Sequence, residues 1–125
     1  YEEILDSTVR LPGLSPEERL ELVITICLDD IQGKRTTRLF TELWALANHN
    51  EFIAERVGTF YRTVHGIIGV FVKELNPRLS ADEVELVALY ISASMEGTTP
   101  FMGFAKPWEA DMPRIKNLAI VALVH

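Results

Sequence analysis

Residues 80–91 read SADEVELVALYI and combine a helix start with an apolar helix body. Ser80 and Glu83 have the spacing of a capping box, in which each side chain accepts a hydrogen bond from a backbone N–H at the start of the helix. The eight residues that follow, 84–91, carry one charge, on Glu85. Because seven consecutive residues cover the whole circumference of a helix, this helix has apolar side chains on every side.

Residues 118–124, LAIVALV, show the same property more strongly, because none of them is charged. Such a helix must bury two faces, one against its own core and one against another surface, since a monomer tolerates an exposed apolar patch of at most a few hundred Å², about 300–600. We expect the other surface to belong to a second copy of the chain. The alternative is a central helix that lies wholly inside its own domain.

The predicted dimer interface is a four-helix arrangement with two helices from each subunit. Small side chains on both helices, among them Ala88, Ser94 and Ala119, allow the helices to approach closely. We expect the interface to contain Leu86, Leu89, Ser92, Ala93, Ile115, Leu118, Ala119, Ala122 and Leu123.

The rest of the chain also has helical periodicity, and no stretch of useful length alternates with period two. Ser15 and Pro16 form a helix start, and Asn76 with Pro77 ends the longest helix. Helices are predicted at residues 2–11, 15–33, 36–48, 51–75, 80–95 and from about 111 to the end. The predicted fold is all-α, a six-helix orthogonal bundle that forms one domain over residues 1–125.

The composition is that of a folded domain, and it argues against a chain that binds DNA by itself, has an internal disulfide or spans a membrane. Hydrophobic residues make up 48% of the 125 residues and charged residues 24%, as in ordinary folded domains. The net charge is -6 and the 12 basic residues are scattered, so the chain alone should bind DNA poorly. Cys27 is the single cysteine, which excludes an internal disulfide, and we interpret it as a small buried apolar residue in a reducing cytoplasm. No apolar run approaches the roughly 20 residues that cross a membrane.

Several segments resemble a known family. Residues 39–47, LFTELWALA, lead into 48–56, NHNEFIAER, and Tyr61 with Arg62 follows. The similarity continues through residues 75–77, LNP, the capping box, and residues 94–97, SMEG. This order of motifs resembles the carboxy-terminal domain of the TetR family of bacterial transcription regulators over nearly the whole chain.

The resemblance implies a homodimer built on the last two helices, a ligand cavity among the preceding helices, and repression of transcription as the usual role. It also implies a helix-turn-helix DNA-binding domain of about 45–50 residues upstream of Tyr1, through which alone the protein would contact DNA. Since Tyr1 already lies in a helical pattern, we expect further residues before it. In such proteins the ligand shifts the DNA-binding domains of the two subunits to a spacing that no longer matches successive major grooves.

The implied cavity should be apolar and aromatic with a few polar groups, which suits a small apolar or amphipathic effector. Pro100 kinks the end of the fifth helix beside two threonines, and freed carbonyls there can accept bonds from hydroxyls or a ligand. His65 is a candidate polar anchor, while core packing remains the alternative for the aromatic residues. The predicted lining residues are Phe40, Trp44, Phe60, Tyr61, Val64, His65, Ile68, Met95, Thr98, Thr99, Phe101 and Met102.

The sequence offers little for catalysis. We find no nucleophile with a base, no metal-ligand set and no carboxylate pair in an apolar setting, since the adjacent Asp29 and Asp30 point apart on a helix. We therefore predict no catalytic residue, no metal and no cofactor. A helical enzyme or a homodimeric protein-interaction module remains the alternative, although a simple scaffold gives no reason for glycines within the longest helix, at Gly58, Gly66 and Gly69.

Overall fold

The computed structural model describes residues 13–124, and this part of the chain is helical with no strand. Five helices of 13 to 25 residues run in the order α1 (Pro16–Ile31), α2 (Lys34–Ala47), α3 (Glu51–Leu75), α4 (Ala81–Glu96) and α5 (Met112–Val124). A single α-helical turn, Thr99–Met102, and a 3-10 turn, Glu109–Asp111, lie between α4 and α5. The all-α prediction and five of its helices are confirmed, and the helix predicted at residues 2–11 lies outside the described residues.

Two helices begin with the same pair of side chains. In α1 the backbone N–H of Glu18 donates to Ser15 Oγ (3.2 Å), and the N–H of Ser15 donates to Glu18 Oε1 (3.1 Å). The same two bonds join Ser80 and Glu83 at the start of α4: the N–H of Glu83 donates to Ser80 Oγ (3.1 Å), and the N–H of Ser80 donates to Glu83 Oε1 (2.9 Å). The capping box predicted at residue 80 is therefore confirmed, and α1 has one as well.

Helix α2 begins earlier than the sequence pattern indicates, at Lys34 rather than near residue 36. Gly33 is the reason, because its extended backbone (φ -67°, ψ 136°) both ends the α1 segment and caps α2. Only Gln32 and Gly33 separate the two helices, so the end of α1 lies close to the first turn of α2.

Helix α1 is the centre of the domain, since it contacts all four other helices. It buries six apolar side chains, and Cys27, 1% exposed, is one of them, as predicted. The remaining core residues come mainly from α3 and α4, with Met112 at the start of α5. The most central helix is thus α1, and not either of the two helices that the sequence makes most apolar.

The loop after α4 is fixed to the junction of α1 and α2. Thr37 is buried, and its Oγ1 donates to the carbonyl of Ile31 (2.7 Å) and accepts from the N–H of Phe104 (2.9 Å). Gly103 makes this approach possible, because a Cβ there would lie 2.6 Å from the carbonyl oxygen of Thr99 and 2.9 Å from Thr37 Oγ1. These contacts place Thr99 beside the carboxy-terminal end of α1.

The kink predicted at Pro100 is present as a break after Glu96, followed by the turn that contains the proline. The carbonyl of Met95, in the last turn of α4, accepts bonds from both Oγ1 (2.7 Å) and the backbone N–H (3.1 Å) of Thr98. The sequence predicts such a bond from a threonine hydroxyl to a backbone carbonyl near Pro100. Among residues 13–124, no helix is both long and apolar enough to span a bilayer.

Candidate functional site

Five predicted lining residues meet as an aromatic cluster between α2 and α3, which we define as Phe40, Trp44, Phe60, Tyr61 and His65. The ring centroids of neighbouring members lie 5.3 to 6.3 Å apart, as in packed aromatic pairs. The sequence pattern placed these rings on two helices, and the structure brings them together.

A hydrogen-bond chain leads from this cluster to α4. Trp44 Nε1 donates to Tyr61 Oη (3.0 Å), and Tyr61 Oη donates to Glu96 Oε2 (3.3 Å). One polar chain therefore joins α2, α3 and the last residue of α4. Sequence reasoning missed Glu96 as a site residue. Its position was a usable signal, because a carboxylate in the last turn of a helix faces the negative end of the helix dipole.

Burial raises the pKa of the Glu96 carboxyl to about 7, the hydrogen bond from Tyr61 opposes this, and the charge of Asp30 adds to it. Burial together with the Glu96 charge also raises the pKa of the Tyr61 hydroxyl, so this group stays protonated. Burial lowers the pKa of His65. Among the three hydrogen-bonded side chains of Trp44, Tyr61 and Glu96, Glu96 is thus the one that can change its charge near neutral pH.

A small pit opens beside Glu96, and we use this name for the space lined by Asp30, Ile31, Thr36, Phe40, Glu96 and Thr99. Its volume is about 10 Å³, the space of about one water molecule. Thr99 is only 2% exposed, and its Oγ1 has no hydrogen-bond partner among the residues that the structure describes. The pit therefore combines two carboxyl groups with an unpartnered hydroxyl.

The other predicted lining residues do not share one cavity. Val64, Ile68 and Met95 are fully enclosed in the core around α1. Phe101 projects away from the pit and contacts Trp108, with 6.1 Å between the ring centroids. With half-buried Met102, these two rings and Leu118 line an open apolar groove of about 690 Å³. The predicted set is thus divided among the pit, the core and a surface groove.

Of the three glycines in α3, Gly69 meets another helix: a Cβ there would lie 3.3 Å from Val84 Cγ1 of α4. Close packing of α3 on α4 explains this glycine. At Gly58 an added Cβ would meet only the side chain of Arg62, and at Gly66 it would meet open space.

Helices α4 and α5 each expose an apolar stripe, and we call the two stripes together the outer face. The stripe on α4 contains Leu86 (58% exposed), Leu89 (49%), Tyr90 (68%) and Ala93, at the spacing of one helix side. The stripe on α5 contains Leu118 (64%), Val121 (61%) and Ala122. Neither helix is enclosed by the other residues of the described range, 13–124.

The outer face overlaps with the predicted interface but is not the same set. Tyr90 and Val121 belong to it although the sequence reasoning omitted them; their spacing from Leu86 and Leu118 was the available signal. Ser92 lies on the opposite side of α4, 3% exposed, against its own core. Half-buried Leu123 also packs against that core, and Ile115 and Ala119 are half-buried at the border.

Within residues 13–124, no three His, Cys, Asp or Glu side chains form a group that could hold a metal ion. A family model described as BetI-type transcriptional repressor, C-terminal, matches residues 16–114. The matched region includes the pit and all of α1 to α4. No curated protein and no solved structure matched the chain.

Proposed function

Because the chain belongs to the BetI-type carboxy-terminal domains of the TetR family, we propose that it is the ligand-sensing and dimerisation domain of a transcriptional repressor. The outer face is the observation that carries this proposal. Five large apolar side chains on α4 and α5 are 49 to 68% exposed, which is unfavourable for a monomer in water. A second copy that brings the same face would cover them.

A symmetric pairing fits this surface. In a two-fold dimer the same patch is used by both subunits, so an apolar stripe meets an apolar stripe. Stable dimer interfaces bury about 1,200–2,000 Å² or more. Ala93 and Ala122 stand within the two stripes and let the facing helices approach closely.

The sensing part of the proposal rests on the pit and the aromatic cluster. A small effector with an apolar or amphipathic body would lie against the rings, and its polar group would reach Glu96 and Thr99. Thr99 lines the pit, and the segment from Thr99 through Gly103 leads on toward α5. Thr37 holds this segment, because its Oγ1 accepts a bond from the N–H of Phe104. Binding would therefore bias the arrangement of the dimer helices and, through them, the DNA-binding heads.

DNA recognition is assigned to a helix-turn-helix domain upstream of Tyr1, because the chain itself has a net charge of -6. The proposal places the protein in the cytoplasm, where a bacterial chromosome lies, and assigns it a binding role without catalysis, metal or cofactor.

The test uses the full-length natural protein and a random DNA pool. We expect selection to enrich a two-fold symmetric site, because two linked heads bind half-sites at a fixed spacing. The double variant Leu89→Glu, Leu118→Glu should bind that site about 100-fold more weakly, since it loses the linkage between heads.

Leu46→Glu is the matched control, since Leu46 is 53% exposed on α2 and lies off the outer face. It should bind DNA as the unmodified protein does. Failure to enrich any DNA site, or equal binding by the double variant at concentrations where it is monomeric, would refute the proposed function.

A further inference from the structure

The pit has the chemistry of a receptor for a positive charge. Asp30 and Glu96 reach it from two different helices, and the charge of one acts on the other. None of its six lining residues is basic. The neighbouring Asp29 is paired with Lys116 (2.6 Å) and lies outside the pit, so this ion pair leaves the Asp30 carboxylate to the pit.

Thr99 is the independent sign that a ligand group belongs there. Its hydroxyl oxygen is enclosed and lacks a partner among the described residues, although burying a hydroxyl without a hydrogen bond is unfavourable. The hydroxyl can accept a hydrogen bond while the two carboxylates accept others. Three residues with acceptor oxygens therefore line the pit, one from α1, one from α4 and one from the turn that follows α4.

We propose that the pit binds the protonated primary amino group of a small amine whose apolar body lies along Phe40. This rests on the proposed function, because it names the chemical class of the effector for the same site. A primary ammonium carries three N–H donors, one for each acceptor. The pit, at about 10 Å³, has room for a group the size of one water, and a trimethylammonium is far larger and has no N–H.

Phe40 connects the pit with a place for the rest of the ligand. Its ring lines both the pit and a neighbouring apolar groove of about 180 Å³, which Leu43, Val57 and Phe60 also line. A cation near aromatic rings gains further attraction from their negative faces. An amine with its head in the pit would therefore extend over Phe40 toward this groove.

Binding should also depend on pH through Glu96. The groups that face this carboxyl are Tyr61 from α3 and Asp30 from α1, with His65 stacked on Tyr61 at 6.2 Å. Tyr61 stays neutral, and burial holds the pKa of His65 below its ordinary value, so neither adds charge as the pH rises above neutrality. A cation favours ionised Glu96, so affinity should rise about tenfold from pH 6 to pH 8 as this carboxyl loses its proton.

The experiment measures binding to the full-length protein by calorimetry with four probes: 2-phenylethylamine, hexylamine, N,N,N-trimethyl-2-phenylethylammonium and 2-phenylethanol. We expect the two primary amines to bind and the other two probes to bind at least tenfold more weakly. Glu96→Gln should weaken amine binding at least tenfold at pH 8 and remove its pH dependence. Circular dichroism would check that each variant is folded.

Two milder variants keep the test open should Glu96→Gln fail to fold. Thr99→Val removes the unpartnered hydroxyl with little change in volume and should weaken amine binding several-fold. Asp30→Asn should weaken it more, while Asp29→Asn, the matched control next to it, should leave it unchanged.

Equal binding of the trimethylated probe or the alcohol would overturn the inference, as would no binding of either amine, which would mean that the pit holds one water only. In those cases the proposed function would still stand if the protein dimerises, binds a symmetric DNA site and is released from it by a compound of another class. A monomer that enriches no DNA site would instead refute the proposed function itself.

Discussion

Helices α1 and α4 start alike and end in different situations. Each has 16 residues, each begins with a Ser–Glu capping box, and each buries an apolar side in the same core. On the outer side of α1 are acidic residues such as Glu17 and Asp29, whereas on the outer side of α4 are Leu86, Leu89 and Tyr90. Within residues 13–124, the outer side of α1 is therefore polar, whereas α4 has a second apolar side that no described residue covers.

A central helix therefore need not be the most apolar one. Helix α1 contacts every other helix while keeping charged residues where it meets water. Helix α4, together with α5, is more apolar than its place in the subunit requires. The excess is what points to a second copy.

The largest expected effect lies in the α1 core. Leu28→Ala should lower the free energy of unfolding by about 3 kcal/mol, because it removes a fully buried side chain and leaves a cavity. Urea denaturation would measure it. Leu46→Ala, at an exposed position of α2, should change stability by less than about 0.5 kcal/mol. Equal losses at the two positions would contradict the central place of α1.

The second prediction concerns association of the dimer through the outer side of α4. Leu89→Glu should raise the dissociation constant of the dimer at least 100-fold, or about 2.7 kcal/mol, since a charge would be placed in an apolar interface. Light scattering across a dilution series would measure this, with Leu46→Glu as the control that should stay dimeric. If both variants associate like the unmodified protein, another surface forms the dimer.

The last residues of the two helices also differ, since Ile31 ends α1 and Glu96 ends α4, and both line the pit. Burial raises the pKa of Glu96 to about 7, so folding favours its neutral form. That contribution is complete at pH values below the ordinary pKa of a glutamate and is lost as the pH rises through 7.

The free energy of unfolding, relative to that of Glu96→Gln, should accordingly fall by about 2 kcal/mol between pH 5 and pH 8. Denaturation of both proteins at several pH values would show it. A constant difference across this range would mean that Glu96 titrates at its ordinary value.

The smallest expected effect tests what the two helices share. Ser15→Ala and Ser80→Ala each remove one capping hydroxyl and should each lower the free energy of unfolding by about 1 kcal/mol. Thermal unfolding at one protein concentration would compare them. If the two losses in the free energy of unfolding differ by much more than about 1 kcal/mol, the two capping boxes share their geometry but not their contribution to stability.

Much of the fold could be predicted from sequence, because local patterns determine it. The capping box at Ser80 and the Asn–Pro stop after Leu75 act within a few residues, and both are confirmed. The unusual apolar content of α4 and α5 was also visible, and these helices do expose apolar sides.

The site was harder to predict because it depends on contacts between distant residues. Burial first, and then the charge of Asp30, raise the pKa of Glu96, which also accepts a hydrogen bond from Tyr61, 35 residues earlier. No local pattern encodes that meeting. The sequence predicts that Phe101 and Thr99 line the same cavity. Phe101 faces outward because Thr37 and Gly103 fix the path of the loop, which is a contact across 67 residues between Thr37 and Phe104.

The claim on which the rest depends is that a second copy covers the outer face. Sedimentation velocity of the unmodified chain at low micromolar concentration tests it most directly. We predict a single species of twice the chain mass, which the double variant Leu89→Glu, Leu118→Glu converts to a folded species of one chain mass. A monomer from the unmodified chain, folded and stable with Leu89 and Leu118 in water, would contradict the account.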